Sequence, residues 1–203
     1  MDKTLSRVPI ANRLLYWLAK LLFKSAGWRA EGKLPDIPKY VLISTHTSNW
    51  DLIVGLTGWS ILSYGFSTIK LSWMGKAEVF RGPLGAFLKW IGGVPIERRS
   101  RHNAVEQSIQ AFRGREKLAM AIAPEGTRKI ATHWKTGFYY IAQGAQVPIV
   151  FAFFDYKRKV MGIGPAIIPS GDIQADMNII RDFYSKVHAR YPDQVGDIVL
   201  KQS

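Results

Sequence analysis

A histidine and an aspartate five positions apart, His46 and Asp51, are the residues of this sequence best placed for acid–base chemistry. They follow an apolar run, residues 40–45, whose pattern predicts a buried strand. On a continuous helix, side chains five residues apart point about 140° away from each other. The two can therefore meet only if His46 lies on a strand-to-helix turn and Asp51 in the first helical turn, which Ser48 or Asn49 can cap. In that geometry the carboxylate holds one imidazole nitrogen and leaves the other free to act as a base.

Two more polar loops follow apolar strands later in the chain. Arg98 comes after the short run 94–96, and Glu125 comes after the run 118–123. Strand patterns alternate with helical patterns along the sequence, which predicts an α/β fold with a mostly parallel central sheet flanked by helices. Ligand sites in such sheets lie at the carboxyl ends of the strands. We therefore expect His46, Arg98 and Glu125 to belong to one site.

The elements that must position these residues can be read from periodicity and from Gly and Pro punctuation. A strand that contains Pro95 is expected at a sheet edge, because proline cannot donate to the ladder. Residues 76–81 are expected to form a short exposed segment. Helices are predicted over residues 9–26, 50–62, 82–90, 102–113, 135–144 and 172–190, and strands over residues 28–32, 40–45, 67–73, 94–96, 118–123, 147–154 and 160–168.

The first predicted helix, residues 9–26, is amphipathic and basic. Its wide apolar face is bordered by Lys and Arg, a profile typical of a helix that lies in a membrane interface. Packing of the same face against the protein core is the alternative, and the sequence leaves both open. The longest apolar stretch, residues 10–23, is interrupted by Arg13 and Lys20. A bilayer span needs about 20 apolar residues, so no transmembrane helix is expected.

Composition restricts the classes of partner and chemistry. The 203 residues include 28 Lys and Arg against 15 Asp and Glu, a net charge of +13. Such an excess indicates an anionic partner, which can be nucleic acid, an anionic membrane surface or a phosphorylated substrate. No nucleic-acid-binding motif is found. The absence of cysteine excludes disulfides and thiolate catalysis, and no two histidines have metal-ligand spacing, so no metal is expected.

Four segments, taken in order, resemble the motifs of the glycerolipid acyltransferases, the glycerol-3-phosphate and 1-acyl-sn-glycerol-3-phosphate acyltransferase superfamily. The third motif, Pro-Glu-Gly-Thr-Arg, is matched in full by residues 124–128. Two positions depart from the usual pattern: Glu97 stands where the family usually has Asp, and Lys129 where it often has Ser. The other three motifs are matched by His46 with Asp51, by Arg98 after its short strand, and by Pro148.

The resemblance implies a glycerol-phosphate acyltransferase-like fold and an O-acyltransferase activity. A fatty acyl chain would move from acyl-CoA or acyl-carrier protein, which are donor substrates rather than cofactors, to a hydroxyl of a lysophospholipid or glycerol phosphate. It assigns general base to His46 and imidazole orientation to Asp51. The implied substrate-binding residues are Arg98, Glu125, Gly126, Thr127 and Arg128.

Within that set, Arg98 and Arg128 would bind the acceptor phosphate as forked donors. Gly126 would permit the tight turn beside the substrate. Glu125 would orient a second acceptor hydroxyl, although holding Arg128 or holding the turn are alternatives.

The resemblance also implies partners, location and domains. The expected partners are the acyl donor, acyl-carrier protein among them, the acceptor lipid and an anionic membrane surface, with no nucleic acid. The protein would lie peripherally or monotopically on the cytoplasmic face of a membrane. Residues 1–30 would form the amphipathic helix and residues 31–203 the acyltransferase domain. Two alternatives stay open: the same reaction on a sugar or amino-lipid acceptor, and a non-catalytic basic module that binds membrane or nucleic acid.

Overall fold

The computed structural model describes residues 8–65, 69, 71–90, 92–96, 101–127 and 130–200. Within these ranges the helices are α1 (Ile10–Ser25), α2 (Trp50–Leu62), α3 (Gly82–Trp90), α4 (Arg101–Arg113), α5 (Gly137–Ala145) and α6 (Ile173–Tyr184). The strands are β1 (Arg29–Glu31), β2 (Lys39–Ile43), β3 (Leu71–Lys76), β4 (Gly93–Ile96), β5 (Leu118–Ile122), β6 (Ile149–Asp155) and β7 (Val160–Ile167). Two 3₁₀ turns are Ala77–Phe80 and Pro192–Gln194.

The described strands form one sheet in the order β1-β7-β6-β2-β5-β3-β4. Neighbours from β6 to β4 pair in parallel, whereas β7 is antiparallel to β6 and parallel to β1. The antiparallel step follows from the short connection 156–159, since a parallel crossover needs a dozen or more residues. The predicted α/β fold with a mostly parallel sheet is confirmed, and Pro95 lies on the edge strand as expected.

The two central strands that carry the site loops, β2 and β5, are buried on both faces of the sheet. Burial on both sides explains why each reads as a continuous apolar run. Successive side chains of β2 alternate between two cores: Val41 and Ile43 face α4, α5 and α6, and Tyr40 and Leu42 face α2. Trp59 of α2 is fully buried against the second core. These strands are therefore a rigid base for the loops that follow them.

The last helix is shorter than predicted. It ends at Tyr184, so the prediction of helix over residues 185–190 is wrong. The His188 carbonyl accepts a backbone N–H from outside the helix, that of Tyr156, and this long-range contact draws residues 185–190 away from the helix; Pro192, which lacks an N–H, could not have bonded the same carbonyl. Residues 185–200, here named the C-terminal strap, return across the domain instead. Two backbone hydrogen bonds hold the strap. The Tyr156 N–H donates to the His188 carbonyl (2.8 Å), and the Trp134 backbone N–H donates to the Val199 carbonyl (2.9 Å).

The third strand also differs from the prediction. It runs over Leu71–Lys76 rather than residues 67–73, and Ser67 lies outside the described residues. The segment expected to be exposed forms the 3₁₀ turn, and its Phe80 is buried. A side chain at Gly75 or Gly93 would collide with the Phe80 ring. Glycines in the strands thus mark the place where this ring packs.

Helix α1 matches the predicted helix closely and uses a narrow face to pack. Tyr16, Ala19 and Phe23 are buried, with the Tyr16 ring stacked on Tyr64 at the end of α2 at 5.8 Å. The wide apolar face points outward, so α1 packs on the domain through its narrow face. The partner of the wide face stays a prediction. That exposed face consists of Ile10, Leu14, Leu15, Trp17, Leu18, Leu21 and Leu22.

Among the described residues, no helix is both long and apolar enough to cross a bilayer. The division of the chain at residue 30 stays a prediction.

Candidate active site

Neighbouring strands bring the His46 loop and the Glu125 loop together. In the β2–β5 pair Ile43 is opposite Ile122, and His46 and Glu125 each follow three residues later. The backbone N–H of His46 donates to Glu125 Oε2 at 2.8 Å. The two loops are therefore joined at the carboxyl edge of the sheet, where the sequence placed them.

The turn that follows β2 holds His46 against Asp51. His46 Nδ1 lies 3.2 Å from Asp51 Oδ2, with 30% of the His46 side chain and 3% of the Asp51 side chain exposed. Asp51 is in the first turn of α2 and also accepts the Ser48 N–H at 2.8 Å. Ser48 Oγ in turn accepts the Trp50 N–H at 3.2 Å. These local contacts are the geometry that the five-residue spacing required, although the helix N-cap, Asn49, makes no side-chain cap hydrogen bond. With Nδ1 facing the carboxylate, Nε2 is the imidazole nitrogen directed away from Asp51.

Tyr156, which the sequence reasoning missed, completes the surroundings of Asp51. Its hydroxyl donates to Asp51 Oδ1 at 2.6 Å. Burial, together with this hydrogen bond and the nearby Asp51 charge, raises the pKa of Tyr156 and keeps the hydroxyl protonated. The available signal was its position directly after a buried strand, which is where the other site residues were found.

Glu125 is a buried carboxyl that is directed at the backbone of His46. It is 3% exposed, and its Oε1 has no hydrogen-bond partner among the described residues. Burial raises the pKa of Glu125 from 4.5 to about 7, against the lowering effects of the His46 N–H and of the His46 side chain; Asp51 adds a small rise. The acceptor-orienting role of Glu125 stays a prediction, whereas its contact with the His46 amide is a structural finding.

A cavity of about 470 Å³ opens beside His46 and Asp51. Gly126 and Thr127 line it on the side of the third motif. Gly126 has φ +65° and donates its N–H to Ala123 at 3.0 Å, so this tight turn requires a residue that tolerates the left-handed region. The remaining wall is mainly apolar and includes Leu42, Leu52, Leu56, Trp59, Leu71, Trp73, Phe154 and Met161.

Comparison with protein-family models identifies the chain. A model described as Acyltransferase matches residues 28–152, more than half of the sequence. The chain belongs to the acyltransferase family. The match runs from β1 into β6 and includes His46, Asp51 and the third motif, so the resemblance to the glycerolipid acyltransferase superfamily is confirmed. Membership supports a lipid acyltransferase activity in general. Among curated proteins, no sequence matches this chain significantly.

Two of the predicted site residues of this acyltransferase are not among the residues that the structure describes. Arg98 and Arg128 lie outside the described residues, as do Glu97 and Lys129. The described strand before Arg98 is β4, which is separated from β5 by β3. In the part of the chain that the structure describes, no group of three His, Asp or Glu side chains is arranged to hold a metal ion.

Proposed function

We propose that this acyltransferase moves a fatty acyl chain from a CoA or acyl-carrier-protein thioester to a hydroxyl of a lysophospholipid or glycerol phosphate, with His46 as general base. The observation that carries the proposal is the His46–Asp51 pair, with Nδ1 held at 3.2 Å, at the edge of a mainly apolar cavity. The alternative acceptors, a sugar or an amino-lipid, would use the same base.

The chemistry follows from the orientation of the imidazole. Asp51 holds Nδ1, so Nε2 takes the proton of the acceptor hydroxyl as its oxygen attacks the thioester carbonyl. A C–O bond forms, the C–S bond breaks, and the imidazolium returns the proton to the leaving thiolate. Asp51 stabilises the imidazolium in between. Because the chain has no cysteine, no acyl-cysteine intermediate can form, and direct transfer between substrates is the simplest route.

The cavity suits the acyl end of such a substrate pair. The apolar wall formed by α2, β3 and β6 would receive the acyl chain next to His46. Arg98 and Arg128, carried over from the family motifs, would bind the acceptor phosphate. The net charge of +13 favours an anionic acceptor and an anionic surface in the same way.

We further propose that the outward face of α1 lies in the interface of an anionic membrane. Leu14, Leu18 and Leu21 are between 53% and 66% exposed, and Lys20 Nζ lies 5.1 Å from the centre of the Trp17 ring. Apolar and aromatic groups bordered by lysines are typical of helices that lie in a membrane interface. Anionic lipids are enriched on the cytoplasmic leaflet, so that face is the location proposed. A lipid acceptor would reach the site from this surface.

The test is a radiolabelled acyl-donor assay with CoA and carrier-protein thioesters and a panel of acceptors. His46→Ala is expected to lower turnover about 100-fold or more, the usual contribution of a general base. His133→Ala is the matched control and should keep wild-type turnover. Near-wild-type turnover of His46→Ala would refute the mechanism. Success on a glycolipid alone would move the proposal to the alternative acceptors, and no turnover with any pair would favour the non-catalytic alternative.

A further inference from the structure

The Asp51 carboxylate contacts three groups from two parts of the chain, the loop after β2 and Tyr156. Oδ2 receives the Ser48 N–H at 2.8 Å and faces His46 Nδ1 at 3.2 Å. Oδ1 receives the Tyr156 hydroxyl at 2.6 Å. With the Asp51 side chain 3% exposed, water cannot readily replace a missing donor. The Tyr156 hydroxyl is the donor that the structure places on Oδ1.

Tyr156 is itself held from several sides. It follows β6, the strand that pairs with β2, so the sheet places it next to the loop after β2. Its N–H donates to the His188 carbonyl of the C-terminal strap at 2.8 Å. Its ring meets the Trp28 ring edge-on at 4.9 Å, and the Arg190 guanidinium carbon lies 5.7 Å from the ring centre. The packing of the Tyr156 ring and backbone thus sets the direction of the hydroxyl together with its hydrogen bond to Asp51.

We infer that Tyr156 is a positioning residue for the acyl transfer, acting through Asp51 to orient and tune His46. This inference rests on the proposed role of His46 as base. The family match ends at residue 152, so the family model does not include Tyr156. Without the hydroxyl, Oδ1 would lose the hydrogen bond that fixes the plane of the Asp51 carboxylate, and the direction in which Oδ2 orients His46 Nδ1 would be less well defined.

The hydroxyl also adjusts how strongly Asp51 attracts the imidazole proton. A donor on Oδ1 disperses the negative charge of the carboxylate, so less of it acts on the imidazolium. The charged or titratable groups that face this pair are Glu125 at the His46 amide, Arg190 over the Tyr156 ring, and Tyr156. Removing the hydroxyl should therefore keep His46 protonated to higher pH and delay its use as a base.

The deciding variant is Tyr156→Phe in the full chain, which deletes the hydroxyl and keeps the ring against Trp28. We expect kcat to fall about tenfold while KM for both substrates changes less than about twofold, because the loss is one of orientation in the transition state. The acidic limb of the pH–rate profile should move to higher pH. Tyr191→Phe is the matched control, since its ring also faces Arg190 at 5.6 Å, and it should behave as wild type.

Two further measurements separate this role from a merely structural one. In an Asp51→Asn background, Tyr156→Phe should have little additional effect on kcat if Tyr156 acts through Asp51; an equal tenfold loss in both backgrounds would overturn the inference. Imidazole NMR should show His46 titrating at higher pH in Tyr156→Phe, whether or not His46 proves to be the base. An unchanged His46 titration in a folded variant would also overturn it.

If Tyr156→Phe fails to fold, 3-fluorotyrosine at position 156 keeps the ring and the hydroxyl. The more acidic hydroxyl donates a stronger hydrogen bond, so His46 should then titrate at lower pH. No movement of the His46 titration, in a protein with wild-type melting, would refute the coupling. If the proposed role of His46 as general base is wrong, His46→Ala will instead retain turnover.

Discussion

Replacing Glu125 by glutamine is expected to change how the stability of the protein depends on pH. Burial raises the pKa of the Glu125 carboxyl from 4.5 to about 7. Between these values the folded protein keeps a proton that the unfolded chain has released. Stability therefore falls as pH rises through this window, since the folded state binds more protons than the unfolded state. Ionisation of the buried Glu125 near neutral pH thus lowers the free energy of unfolding, at a position next to His46, the proposed base.

The size of the effect follows from the two pKa values. Two-state linkage gives a loss of about 1 kcal/mol at pH 5 and about 3 kcal/mol at pH 8, relative to the protonated limit. Glutamine cannot ionise, yet its side-chain oxygen can still accept the His46 N–H that Glu125 Oε2 accepts at 2.8 Å. The free energy of unfolding of Glu125→Gln minus that of wild type should therefore increase by about 2–3 kcal/mol between pH 5 and pH 8.

The assay is urea unfolding of both proteins at a series of pH values, with linear extrapolation to zero denaturant. Glu116→Gln is the matched control, because Glu116 is exposed and its removal should leave the pH dependence of wild type unchanged. A difference between Glu125→Gln and wild type that stays constant within about 0.5 kcal/mol would refute the reasoning. It would mean that Glu125 is already ionised in the folded protein near neutral pH.

Two other predictions test the surroundings of the site. The double variant Leu14→Glu/Leu18→Glu should bind anionic lipid vesicles about tenfold or more weakly in a sedimentation assay. Its melting temperature should not change, because both side chains are exposed. Unchanged vesicle binding would argue against α1 as the membrane-binding face. Tyr184→Phe should lower the free energy of unfolding by about 1–3 kcal/mol, because the Tyr184 hydroxyl bonds the carbonyls of Ile43 (2.7 Å) and Ala152 (2.9 Å) between β2 and β6. A urea midpoint equal to that of wild type would show that other donors replace the hydroxyl.

The sequence predicted the His46–Asp51 geometry because the constraint is local. Five residues of spacing permit contact only across a turn, and the strand before it and the helix after it were both readable from their periodicity. The contact between His46 and Glu125 could also be predicted, since both residues follow buried strands and the carboxyl ends of parallel strands meet at one edge of the sheet. The α/β class followed from the same alternation of patterns.

The contact of Tyr156 with Asp51 was not predictable in this way. It joins residues 105 positions apart and depends on β6 pairing with β2, a choice of strand order that no local pattern encodes. The end of α6 was misjudged for a different reason. The apolar periodicity continues past Tyr184, but residues 185–190 belong to the C-terminal strap, whose His188 carbonyl accepts the Tyr156 N–H.

Glu125 keeps a carboxyl at a position where its ionisation destabilises the fold above neutral pH. If a backbone N–H were all that it served, glutamine would serve it at lower cost above neutral pH. Its Oε1 is buried, has no partner among the described residues and belongs to the loop whose next residues, Gly126 and Thr127, line the cavity. We therefore expect Glu125→Gln to gain stability at pH 8 and to lose turnover in the acyl-donor assay. Gain of stability with full turnover would limit Glu125 to holding the His46 loop, and the acceptor hydroxyl would then need another partner.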